Sequence, residues 1–208
     1  MAKIGINGGS FDPIHFGHLR PALEVLHALQ LDEMRFMPAY QTVHKTQPMV
    51  SAEQRCEMVQ RAIAPIAQFT LERLEIARGG PSYMVDSLEQ LQQSAPQNQW
   101  VLMMGMDAFE QFDQWHRYQD ILQLANLVVT FRPGAKLQPN SAVQKLLAER
   151  QVSTLHQPSG QILLQPVTQL DISSTAIRQK IQQNEPLNFL MPESVIDYIE
   201  HNQLYRTR

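Results

Sequence analysis

Gly8-Gly9-Ser10-Phe11-Asp12-Pro13-Ile14-His15-Phe16-Gly17-His18 is the stretch that decides how this 208-residue chain is read. Ile4 and Ile6 alternate ahead of it, and Leu19, Ala22, Leu23, Leu26 and Leu29 follow at helical spacing. Alternation, then glycines, then a 3.6-residue period spells strand, tight turn, helix. Glycines let a backbone come close to a phosphate, and the unbonded N–H groups and dipole of a helix start favour anions. His15 and His18 stand three apart at that start, so both imidazoles lie on one face of the first turn. Two imidazoles directed at one phosphate make a transition-state clamp.

Outward from this unit the same alternation continues. Phe36 and its neighbours read as a second strand ended by Pro38, and Ser51 with Gln54 forms a capping box ahead of Met58, Val59, Ala62 and Ile63. Pro65 stops that helix. Residues 69–76 read as extended, Ser82 as the cap of a helix carrying Val85, Leu88 and Leu91, and residues 100–104 as a strand buried on both faces. A short helix around Ile121 and Leu122, a strand over 127–131, a helix over 142–151 and a strand over 162–164 follow. Ser173 and Ser174 precede a helix with Ile177 and Ile181, and Pro192 opens another with Val195, Ile196 and Ile199. The expectation is an α/β fold, a doubly wound and mostly parallel sheet, with residues 1–208 forming a single domain. In such sheets ligands bind beyond the carboxyl ends of the strands.

Composition bounds the rest. Apolar residues are 43% and charged residues 18%, a soluble globular balance that excludes disordered and membrane-spanning classes. With no apolar export segment at Met1-Ala2-Lys3-Ile4, cytoplasmic residence is the expectation. A formal charge of −3 argues against a nucleic-acid partner, so anionic substrates must be met by local cations. The single cysteine, Cys56, rules out an intrachain disulfide and reads as packing. The hydrolase zinc pattern needs His-Glu-x-x-His, whereas Phe16 and Gly17 lie between these histidines; no metal ligand set is expected from protein side chains.

The signature stretch resembles that of the HxGH nucleotidyltransferases, a doubly wound superfamily of Rossmann-like type. A second superfamily element, a hydroxyl-rich helix start followed by Arg, stands as Ile172-Ser173-Ser174-Thr175-Ala176-Ile177-Arg178. Hydroxyls and free N–H groups with a guanidinium one turn on make a triphosphate cradle. Within the superfamily the chain is similar, over nearly its whole length, to the bacterial nicotinate-nucleotide adenylyltransferases. The added segments are His44-Lys45, Pro81-Ser82-Tyr83, Gly105-Met106-Asp107 with Trp115, and Phe131-Arg132-Pro133-Gly134.

That resemblance implies transfer of AMP from ATP to nicotinate mononucleotide, with Mg²⁺ carried on the ATP phosphates. It implies His18, His15, Lys45 and Arg178 as catalytic residues. ATP would be held by Gly8, Gly9, Ser10, Phe11, His15, His18, Gly105, Asp107, Ile172, Ser173, Ser174, Thr175 and Arg178, the part from about 170 to 208 completing that site. Nicotinate mononucleotide would meet Ser10, His44, Lys45, Ser82, Tyr83, Met84, Trp115, His116 and Arg132. Three positions depart from the family pattern: Met84 where Thr is common, Ala39-Tyr40 where Asn is frequent, and His116 where Tyr is frequent. Free N–H groups at the Ser82 helix start would favour the acid over its amide.

Three other readings stand beside this one. A phosphopantetheine-directed relative would be shorter and lack the Pro-Ser-Tyr and Phe-Arg-Pro-Gly segments. A dinucleotide-binding oxidoreductase needs Gly-x-Gly-x-x-Gly, which Gly5-x-x-Gly8-Gly9 does not fit. A nucleotide-sensing module would bind ATP without releasing pyrophosphate. The sequence does not fix the oligomeric state, and a homo-oligomer is compatible with it.

Overall fold

The computed structural model describes residues 2–43, 47–132, 141–168 and 170–206. Among them run β1 (Lys3–Gly9), α1 (Phe16–Ala28), β2 (Glu33–Pro38), α2 (Ala52–Ile63), β3 (Phe69–Leu71), α3 (Leu74–Arg78), α4 (Met84–Ser94) and β4 (Gln99–Gly105). Then come α5 (Met106–Phe109), a 3₁₀ turn at Phe112–Gln114, α6 (Tyr118–Leu124), β5 (Asn126–Phe131) and α7 (Ser141–Arg150). The chain continues through β6 (Gln151–Val152), β7 (Ile162–Pro166), α8 (Ser174–Gln182) and α9 (Glu193–His201).

The strands form one parallel sheet in the order β3-β2-β1-β4-β5-β7-β6. Alternation sends successive side chains to opposite faces. Met34, Phe36, Val101, Met103 and Val128 pack on one side with residues of α1, α2, α8 and α9. Ile4, Ile6, Trp100, Leu102, Leu127 and Val129 pack on the other with residues of α4, α6 and α7. Both faces are thus covered, as parallel sheets require. Strand order reverses between β1 and β4, whose neighbours run outward in opposite directions, so the carboxyl ends of these two strands border the crevice where α/β sheets take ligands.

The capping box at α2 forms as expected: Gln54 N–H donates to Ser51 Oγ and Ser51 N–H to Gln54 Oε1. Residues 69–76 are not one strand. β3 ends at Leu71 and α3 begins at Leu74, because Glu75 is drawn inward to the Ser87 hydroxyl at 2.7 Å, a contact a continuing edge strand would not make. Ser82 does not cap α4 either. The capping position is Tyr83, and Ser82 Oγ instead accepts the Tyr40 N–H at 2.9 Å.

α3 ends on Gly79 at φ 71° and ψ 178°, a region essentially reserved for glycine. A Cβ there would meet nothing within 4 Å, so its cost is purely conformational. Gly79→Ala should lower unfolding stability by about 1–3 kcal/mol in urea titration without changing the m-value; an unchanged midpoint would contradict this backbone.

Candidate functional site

Gly8 and Gly9 close β1, and the turn beyond them is built inward. Phe11, at φ 48°, is 1% exposed, and its ring lies 3.2 Å from where a Cβ on Gly9 would stand. That ring meets His18 edge-on with centroids 5.2 Å apart, and Phe36 at 5.9 Å. The Phe11 side chain, expected at the ATP site, is packed inward beneath His18. Gly8 faces the other way: a Cβ there would sit 2.8 Å from the Met84 methyl, so α4 leans on the end of β1.

His15 and His18 come together as their spacing requires. Their rings are 3.8 Å apart, and the His15 N–H donates to His18 Nδ1 at 3.3 Å. An Nδ1 that accepts leaves the proton of a neutral His18 ring on Nε2, the edge that can donate to an oxyanion. His15 is different. It is 4% exposed and burial lowers its pKa to about 4, so at neutral pH it is an uncharged ring and cannot share a cationic clamp. Gly17 makes this packing feasible: a Cβ would lie 2.8 Å from His15 Nδ1 and 3.2 Å from the Ile172 carbonyl.

That carbonyl belongs to the second motif, which the fold carries to the first. Ser173 Oγ caps α8 by accepting the Ala176 N–H, Ser174 Oγ donates to the Pro13 carbonyl at 2.9 Å, and Thr175 Oγ1 accepts from Arg178 Nη2 at 3.2 Å. Thr175 is exposed with its hydroxyl proton unspent by that bond, which singles it out among the three hydroxyls. Arg178 Nη1 donates to the Asp12 carbonyl at 2.6 Å.

Across the crevice lies an aromatic wall. Tyr83 and His116 rings are 4.5 Å apart, and Trp115 is half-buried against Phe112 at 5.7 Å. Arg117, at φ 52°, pairs with Glu89 at 2.6 Å and Asp120 at 2.8 Å, tying the Trp115-His116 corner to α4. Ser82 lends no free N–H: its own donates to the Gln41 carbonyl. The unbonded donors of α4 begin instead at Met84 and Val85, by the ordinary geometry of a helix start. Asp107 folds back so that Oδ1 lies 2.7 Å from a Cβ position on Gly105, and Arg132 is exposed beyond β5. His44, Lys45, Pro133 and Gly134 lie outside the described residues.

Two supports escaped sequence reasoning. Arg55, 1% exposed, donates to the Ser10 carbonyl at 2.7 Å and the Tyr40 carbonyl at 3.4 Å, joining the signature turn to the loop after β2. The signal was its phase: Arg55 falls on the same helical stripe as Val59 and Ala62. Glu75 is buried, its carboxyl pushed up by desolvation and held by the Ser82 and Ser87 hydroxyls; the local signal available for its helix was Gly79, which ends it.

Residues 6–180 match the family described as cytidylyltransferase-like. A Hydrogenovibrio crunogenus protein named "Probable nicotinate-nucleotide adenylyltransferase" is 56% identical over 98% of this chain and 97% of its own length. One of the same name from Psychromonas ingrahamii is 42% identical over the same shares. The fold is similar to Plasmodium falciparum nicotinic acid mononucleotide adenylyltransferase complexed with APC, at TM-score 0.75 and 18% identity over 99% of this chain and 98% of that one. It is also similar to the same enzyme complexed with NaAD, at TM-score 0.76 and 18% identity over the same shares.

The buried neutral His15 sets a pH window. Its folded pKa, about 4, lies below the ordinary 6.5, so its contribution is complete above pH 6.5 and is lost as pH falls toward 4. Between pH 7 and 4.5 that amounts to about 2–3 kcal/mol. Urea unfolding at both pH values should show a steeper decline for the wild type than for His15→Gln; equal declines would mean His15 is not buried uncharged.

Proposed function

The chain belongs to the cytidylyltransferase-like family and, within it, to the nicotinate-nucleotide adenylyltransferases, and on that premise we propose how its residues join the AMP part of ATP to nicotinate mononucleotide. An oxygen of the mononucleotide phosphate attacks the α-phosphorus of ATP in line. The new P–O bond forms as the bond to the β-phosphate bridging oxygen breaks, and pyrophosphate leaves with that electron pair, giving the deamido dinucleotide. No protein nucleophile takes part, so the work is positioning and neutralising developing charge.

The observation that carries this reading is the meeting of the two motifs, His18 Nε2 on one side and the α8 start with Arg178 on the other, bolted through Asp12 and Pro13. His18 donates to a non-bridging oxygen of the α-phosphate as charge accumulates there. His15, uncharged, fixes the His18 tautomer and ring plane. Arg178, Thr175 and the first N–H groups of α8 hold the departing phosphates, with Gly8, Gly9 and Ser10 along the turn and Asp107 and Gly105 toward the adenosine; Lys45 and His44 keep their phosphate role from the family resemblance alone. Residues from about 170 onward complete this ATP site as part of one catalytic unit. Mg²⁺ would arrive with ATP as part of the substrate and would help neutralise the phosphate charge. Among the described residues no three His, Cys, Asp or Glu side chains gather as a metal site.

Tyr83, Trp115 and His116 supply the wall for the pyridine ring, with Arg132 serving the mononucleotide phosphate. Acid selectivity moves from Ser82 to the N–H groups of Met84 and Val85, which suit a carboxylate and face an amide NH₂ with donors it cannot use. Both substrates being cytoplasmic metabolites, we place the reaction there; among the described residues no helix is long and apolar enough to cross a membrane.

The test supplies ATP and Mg²⁺ with nicotinate mononucleotide, its amide counterpart or phosphopantetheine and measures pyrophosphate release. Release should occur with the acid and fall by at least about tenfold with the amide. Release with phosphopantetheine alone would overturn the acceptor assignment, and ATP binding without release would overturn the chemistry. His18→Ala should lower kcat by about 10²–10³ with KM little changed; an unaltered kcat would remove His18 from the α-phosphate.

A further inference from the structure

Three distant stretches of chain converge on Asp12, which is 3% exposed. Its Oδ1 accepts the Tyr205 hydroxyl at 2.8 Å and its Oδ2 the Met49 N–H at 2.9 Å. Its backbone carbonyl takes Arg178 Nη1 at 2.6 Å, while the same nitrogen stays 3.7 Å from Oδ2. Met49 lies just ahead of α2, and Arg178 belongs to the proposed phosphate cradle. Tyr205 comes from beyond α9, buried and at φ 64°, beside a buried Leu204 whose N–H donates to the Ile199 carbonyl.

Nothing in the transfer chemistry calls for this phenol. Its effect follows from the company Asp12 keeps. A buried carboxylate next to a guanidinium gains most by closing a direct, two-pronged ion pair. Here that closure has not happened. One oxygen accepts a phenol and the other a backbone N–H, and Arg178 makes its hydrogen bond to Asp12 through the neutral carbonyl. A directly paired guanidinium would have its charge and its fork of donors spent on Asp12 and turned from the phosphates.

We propose that Tyr205 is a positioning residue for the phosphate site: acting through Asp12, its hydroxyl holds the carboxylate toward Met49 and off Arg178, leaving that guanidinium free for the triphosphate. This rests on Arg178 serving ATP phosphates, as assigned above. Tyr205→Phe removes one oxygen atom and leaves Oδ1 buried without its donor. The carboxylate then turns to the nearest cation, which is Arg178.

The experiment measures ATP affinity by calorimetry without acceptor, and KM and kcat by pyrophosphate release, in four proteins: wild type, Tyr205→Phe, Asp12→Asn and the double variant. Leu204→Ala, a core truncation in the same segment, serves as a stability control. Tyr205→Phe should weaken ATP binding and raise its KM by about five- to tenfold, with kcat lowered less than about threefold. Leu204→Ala should lower the unfolding temperature at least as much with KM unchanged. In the Asp12→Asn background, where no carboxylate needs restraining, Tyr205→Phe should have no further effect on ATP affinity. An ATP affinity unmoved by Tyr205→Phe, a KM shift matched by Leu204→Ala, or equal Tyr205→Phe effects in both backgrounds would overturn the proposal. Should Tyr205→Phe fail to fold, Asp12→Asn alone decides: it must bind ATP at least as tightly as wild type, and weaker binding overturns the role. Absence of pyrophosphate release in the wild type would instead count against the reaction, with the calorimetric comparison still readable.

Discussion

The site depends on a side chain that is absent. At Gly17 the His15 ring and the Ile172 carbonyl close on the space a Cβ would need, at 2.8 and 3.2 Å. Because that space is free, the first turn of α1 and the approach to α8 lie against each other, although more than 150 residues separate them in sequence. Everything else in the phosphate region follows from this contact. Ser174 can reach the Pro13 carbonyl, Arg178 can reach Asp12, and His18 can lie against a buried His15.

The electrostatic design is one of few and separate charges. The chain carries a net −3 yet must gather two polyanions. Burying His15 keeps it neutral and makes it a template, setting the tautomer of His18 through one backbone N–H. In the proposed mechanism positive potential then comes from Arg178 and from the helix start of α8, which would leave preorganised donors where charge develops in the transition state. Arg55 supplies the rigidity beneath: wholly buried and spent on backbone carbonyls, it fixes the turn and the β2 loop without facing substrate.

Much of this was legible in the sequence because the signals were local. The βα opening, the Ser51-Gln54 box, the buried run of β4 and the hydroxyl start of α8 rest on spacing within a few residues, and each forms where spacing put it. Where reading failed, a distant partner overrode a local pattern. Phe69 with Leu71, and Leu74 with Ile76, imitate strand alternation, but Glu75 turns inward to Ser87 and winds α3. Ser82 is a good cap by type, yet Tyr40 and Gln41, some forty residues away, claim its hydroxyl and its N–H. The inward packing of the Phe11 ring had no local signal, since Gly9, His18 and Phe36 surround it only on folding. Asp12 with Tyr205, at opposite ends of the chain, had no local signal at all.

Gly17→Ala tests the central claim most directly, because it adds one methyl group and removes no donor, acceptor or charge. Pyrophosphate release from ATP with nicotinate mononucleotide should fall by about 10²-fold, since displacing reacting groups by about 1 Å costs that much, while circular dichroism shows the same secondary structure. Unchanged turnover in Gly17→Ala would mean that the close approach of His15 to Ile172 does not set the catalytic geometry.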